Sequence, residues 1–309
     1  ATSVLYCLRA CPSFRQFQIY HKESCQRVGC TLCKIYRFFT ETEGQGTMNF
    51  PLDLNVFDEK WSVGIPGDSA EFLNQLLNVL QSEEFNNFRS FQSVNEYSTA
   101  IGQMFRIESQ NKLICSECGR IRITRDSYWT YFLPNRIDKS SLFTSSPVKV
   151  EDYSCDACGN PVSCIEEIVG ELPLIFTIQI NNWDERCQYR KKKFQATKYL
   201  NITVSNIKYH LVAFTDYNGN SSEGGKFNSI FLSSSGIWNS MVNGKIQPID
   251  MNSLSQYNPQ LLFYSRDEQN LTTERATISR LPQQNKPLIS LKKNLEKNDE
   301  EEEENDEDE

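Results

Sequence analysis

The chain has 309 residues, 39% of them hydrophobic with 19 Phe and 13 Tyr, which is apolar side chain enough for one large domain or two and excludes a chain disordered throughout. Its formal net charge is −8, but ten acidic side chains crowd residues 299–309, so the remainder carries about +2 and has neither a nucleic-acid nor a membrane-surface footprint. No apolar run is long enough to span a bilayer, and Ala1-Thr2-Ser3-Val4-Leu5 lacks the basic and apolar regions of a signal peptide; a start without Met is expected of a fragment or a processed product.

Eleven cysteines, an odd number, argue against a closed disulfide framework and for reduced thiols with metal sites among them, which implies a cytoplasmic or nuclear home. From the amino terminus, Val4, Leu5, Cys7 and Leu8, then Phe14 and Phe17 after a break at Pro12, predict helix, turn, helix over residues 3–20. Next come His21, Cys25, Cys30 and Cys33, spaced His-x3-Cys-x4-Cys-x2-Cys. One imidazole and three thiolates suit tetrahedral zinc, and the last Cys-x-x-Cys step leads into an apolar helical run at Ile35, Tyr36, Phe38 and Phe39. The alternative is a surface histidine with three buried cysteines serving as small hydrophobes.

Residues 40–66 are rich in Gly, Asn, Thr and Asp and predict a loop with one short ordered piece around Val56, Phe57 and Trp61. Asp68 then stands where it can cap a helix, with Glu71 three residues on able to complete a capping box. Phe72, Leu73, Leu76, Leu77 and Leu80 give that helix one buried side, the pattern of an ordinary core helix.

The most specific pattern is Cys115-Ser116-Glu117-Cys118-Gly119 paired with Cys155-Asp156-Ala157-Cys158-Gly159. Two cysteines separated by two residues can turn both sulfurs to one ion, and the glycine after them permits the tight turn, so the two halves together offer a closed four-thiolate zinc site. The 36 residues between Cys118 and Cys155 predict a long strand-rich excursion pinned at its base by the metal. Two disulfides, or four idle thiols, are the alternatives. Beyond it, Leu172–Ile180 predicts a buried strand, and Tyr209–Phe214, Phe227–Leu232, Trp238 with its neighbours and Leu261–Tyr264, separated by Asn/Gly/Ser turns, predict an antiparallel meander. From Arg266 the composition turns polar. Residues 267–309 read as a disordered polar linker and acidic tail, with docking to a basic partner as its alternative role.

In this order and spacing, the landmarks resemble the ubiquitin-specific protease family of deubiquitinating cysteine peptidases over about residues 1–266. Ser3-Val4-Leu5-Tyr6-Cys7-Leu8 with Pro12 and Phe14 looks like the helix after the family's catalytic cysteine, and Gly67-Asp68-Ser69-Ala70-Glu71-Phe72 looks like its Gln-Asp-Ala-x-Glu-Phe helix. The paired Cys-x-x-Cys looks like its zinc-bearing fingers. Tyr209-His210-Leu211-Val212-Ala213 and Leu261-Leu262-Phe263-Tyr264 look like its palm strands. The resemblance implies an α+β, papain-like cysteine-peptidase fold with a helical thumb (1–114), zinc-bearing fingers (115–170) and an antiparallel β palm (171–266). It implies ubiquitin or a ubiquitinated protein as partner, with other protein partners besides; the charge and hydropathy argue for no nucleic acid and no membrane, and the two four-ligand sets predict two structural zinc ions.

The family's chemistry needs a thiolate to attack the isopeptide carbonyl, an imidazole to lower its pKa and protonate the leaving lysine, and a carboxylate or amide to orient the ring. By resemblance this set is not intact. Gly225-Lys226-Phe227 stands where the family has Gly-His-Tyr, and the only histidines are His21 and the non-catalytic His210. In Trp238–Asn243 the orienting position falls on Val242, or on Asn243 after a one-residue slip, and the nucleophile is expected about two positions before Ala1. Gly67 replaces a glutamine that helps build the oxyanion environment, and the amino-terminal His/Cys cluster is similar to that of divergent members, some without activity. The expectation is a pseudoenzyme that binds ubiquitin or acts as a scaffold. Its alternatives are an active deubiquitinase with an upstream nucleophile, Lys226 substituting as base, and a zinc-stabilised structural subunit of a larger assembly, for example in RNA processing.

Overall fold

Pro12 settles the first corner of the chain, because it has no N–H to give a preceding helix and its fixed φ suits the first position of the next. In the computed structural model, which describes residues 1–41, 67–86, 99–133, 147–182, 199–221 and 224–267, helix α1 (Thr2–Ala10) ends before it and α2 (Pro12–Ser24) begins on it. The second helix continues past residue 20 and carries His21 in its last turn. α3 (Thr31–Glu41) follows, with Leu32, Ile35, Phe38 and Phe39 buried, and extends into the region where a loop was expected from residue 40. The ordered piece expected at Val56, Phe57 and Trp61 lies outside the described residues, as does the acidic tail.

Asp68 caps α4 (Ser69–Phe85): its Oδ1 accepts from the N–H of Ala70 at 2.7 Å and of Glu71 at 3.1 Å. Phe72, Leu73, Leu76, Leu77 and Leu80 are all buried, as their spacing predicts. A short helix that periodicity did not reveal, α5 (Ala100–Phe105), is capped by Thr99 and leads into the strands.

Those strands, in chain order, are β1 (Ile107–Cys115), β2 (Ile121–Tyr128), β3 (Tyr131–Leu133), β4 (Val148–Ser154), β5 (Pro161–Val169), β6 (Ile175–Ile180), β7 (Asn201–Val204), β8 (Ile207–Ser221), β9 (Gly224–Leu232), β10 (Trp238–Val242), β11 (Lys245–Pro248) and β12 (Pro259–Arg266). They form two sheets. The finger sheet has the order β2-β1-β5-β4, and the palm sheet has the order β11-β10-β9-β8-β12-β6-β3, with β7 beside β8.

Two expectations are corrected here. The meander holds only from β8 to β11; β12 returns to the other side of β8 and separates it from β6, and β3 pairs parallel to β6. The reason lies in β12 itself, whose residues Pro259–Ser265 are buried without alternation, so the strand is stable only in the middle of a sheet covered on both faces. The finger is also inverted relative to the sequence reading. Each Cys-x-x-Cys-Gly is a hairpin turn, with Gly119 at φ 68° and Gly159 at φ 72°, so the strands beside it run back together toward the palm. Between Cys118 and Cys155 the chain returns along β2, adds β3 to the palm sheet, and goes out again along β4. The cysteine cluster therefore sits at the fingertip, not at the base of an excursion, and the finger sheet starts at Ile107, ahead of the first knuckle.

Period-two alternation along the palm strands distributes the core. Leu261 and Phe263 face the helices with Ala213 and Met241, joined by Val212 where a bulge breaks the β8–β12 register, while Leu262 and Tyr264 face the other side with Phe176, Tyr209, Phe214 and Trp238. Among the described residues, no helix is long and apolar enough to cross a membrane.

Candidate metal centres and the thumb–palm cleft

At the fingertip the two knuckles meet. Cys115 Sγ lies 3.5 Å from Cys158 Sγ and Cys118 Sγ 3.6 Å from Cys155 Sγ, and all four sulfurs lie within 4.8 Å of one another. A disulfide needs about 2.05 Å, whereas the edge of a tetrahedral zinc–thiolate site is ~3.8 Å, so the spacing is that of a ligand set. None of the ten described cysteines is in a disulfide. The backbone also fits a bound cation's thiolates. The N–H groups of Ala157 and Cys158 lower the pKa of the Cys155 thiol, and the backbone and side-chain N–H groups of Asn160 bring Cys158 down to about 6.

In the thumb, the last turn of α2, the loop after it and the first turn of α3 bring together His21, Cys25, Cys30 and Cys33, again within 4.8 Å of one another. His21 Nε2 is 3.1 Å from Cys30 Sγ. Burial lowers the His21 pKa and so favours the neutral imidazole that a metal requires, and burial pushes the Cys30 thiol up to about 12, a cost that a cation at the centre offsets. Both clusters are compatible with zinc. Each supplies four protein ligands, which leaves no position open for an activated water, so the chemistry they offer is structural.

The cleft between thumb and palm is drawn by three contacts. Ser229 Oγ on β9 donates to the main-chain oxygen of Ser3 at 2.9 Å, Ser69 Oγ at the start of α4 is 3.1 Å from Thr215 Oγ1 on β8, and Gln260 Nε2 on β12 donates to Asp68 Oδ2. Lys226 is exposed on β9 opposite Asn218. Val242, 38% exposed, ends β10, whose pairing with β9 stops at Met241 opposite Ser229. Asn243 (φ 51°) and Gly244 (φ 77°) form the two-residue turn into β11, and a hairpin of this kind demands positive φ at both places, which accounts for asparagine there. His210 lies opposite Asn201 and Ser265, eight residues and roughly 26 Å along β8 from the partner of Lys226. His21 is in the thumb cluster. Neither imidazole reaches Lys226's end of the cleft.

Sequence reasoning passed over three features of this region. Tyr217 packs its ring on the backbone of Gly219 and Gly225, where any Cβ would collide with it, and stands 5.1 Å from the Phe227 ring. Asp216 is buried, accepting from Asn258 N–H at 2.6 Å and from Asn228 Nδ2 at 3.4 Å. Glu83 and Glu84, at the end of α4, face a cavity of about 240 Å³ beside the thumb cluster. A pair of acidic residues closing an apolar helix was the available signal, but it reads equally well as a solvated end.

A model of the ubiquitin carboxyl-terminal hydrolase family matches residues 1–264. Ubiquitin carboxyl-terminal hydrolase 36 of Drosophila mojavensis is 22% identical over 269 residues, which cover 79% of this chain and 23% of that protein, and its counterpart in Drosophila virilis is 22% identical over 272 residues, 80% of this chain and 22% of that one. The chain thus spans about a quarter of the length of the curated relatives it matches. Among solved structures, the SAGA Ubp8/Sgf11/Sus1/Sgf73 DUB module bound to ubiquitin aldehyde superposes with a TM-score of 0.63 at 17% identity, covering 86% of this chain and 66% of that one. A yeast SAGA DUB module gives 0.65 at 17%, covering 86% and 65%. At such identities the structural likeness establishes the fold, a ubiquitin-specific-protease domain. The family match takes in nearly the whole described fold, from α1 to within two residues of the end of β12, and on that extent the chain belongs to the ubiquitin carboxyl-terminal hydrolase family.

Proposed function

We propose that this chain is a catalytically inactive ubiquitin-specific-protease domain that binds ubiquitin or a ubiquitinated protein. The observation that carries the reading is Lys226. It occupies the strand position where the resemblance calls for the catalytic imidazole, it is exposed, and neither histidine of the chain is near it. An ammonium on a flexible stem lacks the paired donor and acceptor nitrogens with which a histidine relays a proton; the Val242 side chain has no oxygen with which to orient a ring, and Asn243, the alternative at that position, has no imidazole to orient. Binding does not need that chemistry. The resemblance implies a surface between fingers and palm on which ubiquitin would rest, and a structural neighbour is bound to ubiquitin aldehyde.

In this reading the expected bounds, thumb 1–114, fingers 115–170 and palm 171–266, are kept except that β1 from Ile107 counts with the fingers and β3 with the palm sheet, and 267–309 are a polar linker and acidic tail. The reduced thiols suit the cytoplasm or nucleus. Two measurements on the full-length protein test the proposal. Isotope-labelled ubiquitin should show saturable chemical-shift changes on titration, and ubiquitin vinyl sulfone should form no adduct. Covalent labelling of a cysteine upstream of Ala1 would instead identify an active deubiquitinase. Shifts absent at saturating protein would leave a scaffold for other partners.

A further inference from the structure

Cys30 immediately precedes α3, where a cap residue would ordinarily offer a side-chain oxygen to the free N–H groups of the first turn. Its sulfur instead lies among the thumb ligands, 3.1 Å from His21 Nε2. The oxygen comes from a residue 52 positions away. Glu83, near the end of α4, accepts the Thr31 N–H with Oε2 at 3.1 Å and the Thr31 hydroxyl with Oε1 at 2.7 Å. Thr31 is 3% exposed, so without Glu83 its hydroxyl and its N–H would have little water to turn to. Arg27, in the loop between Cys25 and Cys30, donates from Nη1 to the main-chain oxygen of Glu83 at 3.2 Å. One residue of α4 therefore fastens the ligand-bearing loop and the helix that follows it.

We infer that Glu83 is a positioning residue of the thumb metal site, a helix cap supplied from a distant segment that holds the backbone from Cys30 to Cys33 so that both sulfurs meet one ion. Cys30 is thereby released from capping to act as a ligand. Three thiolates around a divalent cation leave the site net negative, and the Glu83 carboxylate adds to that charge. The positive end of the α3 dipole, which Glu83 caps, and the guanidinium of Arg27 on its carbonyl oxygen offset it. Metal binding in the thumb then requires that the last turn of α4 be formed. The finger cluster differs, since the N–H groups on its Cys155 and Cys158 sulfurs come from Ala157, Cys158 and Asn160 of its own knuckle.

The test is the rate at which a chelator extracts zinc from the loaded full chain, with Cys118→Ser used to assign the thumb phase. Glu83→Ala should accelerate the thumb phase about tenfold or more while leaving the finger phase unchanged, as loss of an outer-sphere partner does elsewhere. Thr31→Val, which removes one of the two donors, should accelerate the same phase by less. Leu73→Ala weakens α4 without touching Glu83 and controls for general instability; it should lower the melting temperature and leave the ratio of the two rates as it was. Equal release from Glu83→Ala and the native chain, or an equal acceleration of both phases, would overturn the inference. Should Glu83→Ala fail to fold, an unchanged thumb phase in Thr31→Val would overturn it equally.

Discussion

Ser229 and Ser3, 226 residues apart in sequence, are joined by a 2.9 Å hydrogen bond from the Ser229 hydroxyl to the main-chain oxygen of Ser3, with both residues buried. This bond sets α1 against β9 at the head of the cleft. Ser229→Ala removes one neutral hydrogen bond, while the Ser3 oxygen keeps its place in the helix ladder, so the expected loss is about 1 kcal/mol. Thermal unfolding should show a melting temperature lower by roughly 2–4 °C. Ser229→Val, which adds volume to a closed site, should cost more.

Lys226 gives the sharpest functional test. If it does no chemistry, Lys226→Ala leaves ubiquitin affinity and any peptidase activity of the full-length protein unaltered within about twofold. Lys226→His alone restores nothing if the orienting position is Val242, whereas recovered turnover would place that role on Asn243. Fluorogenic ubiquitin hydrolysis checks both variants; a loss of turnover in Lys226→Ala would make the lysine a base and contradict the inactive reading.

Elemental analysis of purified protein should give two zinc ions per chain. Cys118→Ser should lower this to one and fray the fingertip, with hydrogen exchange rising around Cys115–Ile121 and Ser154–Pro161. Ile107 and Ile168, packed at the palm end of the finger, should stay protected. Cys33→Ser should disturb α3 and spare the finger. The energy at stake in each case is on the order of 10 kcal/mol, the apparent binding free energy of small zinc modules.

Glu84 is buried at 8% exposure, its Oε1 accepting from Ala100 N–H at 3.3 Å and its Oε2 from Ile101 N–H at 3.0 Å, and burial lifts its pKa to about 7. An acid whose folded pKa is raised holds its proton more tightly in the folded state than in the unfolded one. Its contribution therefore favours folding below the ordinary carboxylate range and is lost as pH rises toward 7, with an amplitude up to roughly 3 kcal/mol. His21, Arg27 and Glu83 share the neighbouring cavity, so denaturant unfolding should be followed from pH 5 to 8 with zinc loaded, which keeps His21 from titrating. In Glu84→Gln the decline of stability with pH should be flatter than in the native chain.

The parts of this fold that were legible in the sequence are those fixed by neighbours along the chain. Pro12 divides two helices, Asp68 caps a third, and the Cys-x-x-Cys-Gly steps bring their own sulfurs together, all within five residues. What was not legible depends on where distant segments return. The spacing of Cys115 and Cys118 predicts where their sulfurs point, but not that the chain then runs back to the palm, although the glycine after each knuckle was the clue to a hairpin. Leu261–Tyr264 reads as a strand by composition, and only its lack of alternation hints at a central place. The service of Glu83 to Thr31 has no local signature, since neither residue type is unusual where it stands.

The inverted finger makes a molecular ruler. Its two hairpins, β1–β2 and β4–β5, are joined along their length by the β1–β5 ladder from Glu108–Val169 to Cys115–Val162, so the ion fastens only the two turns that project past the last rung, the points of the finger. Dyes attached through Glu117→Cys and Ala157→Cys, or through unnatural side chains that leave the native thiols alone, would report the gap between the points by energy transfer. Stripping the ion should loosen the two turns while the β1–β5 ladder keeps the hairpins together, so the distribution of transfer efficiencies should broaden more than its mean falls. The length of the finger, roughly 24 Å for the seven steps from Glu108 to Cys115, should not change when the ion leaves, because the β1–β5 ladder sets it.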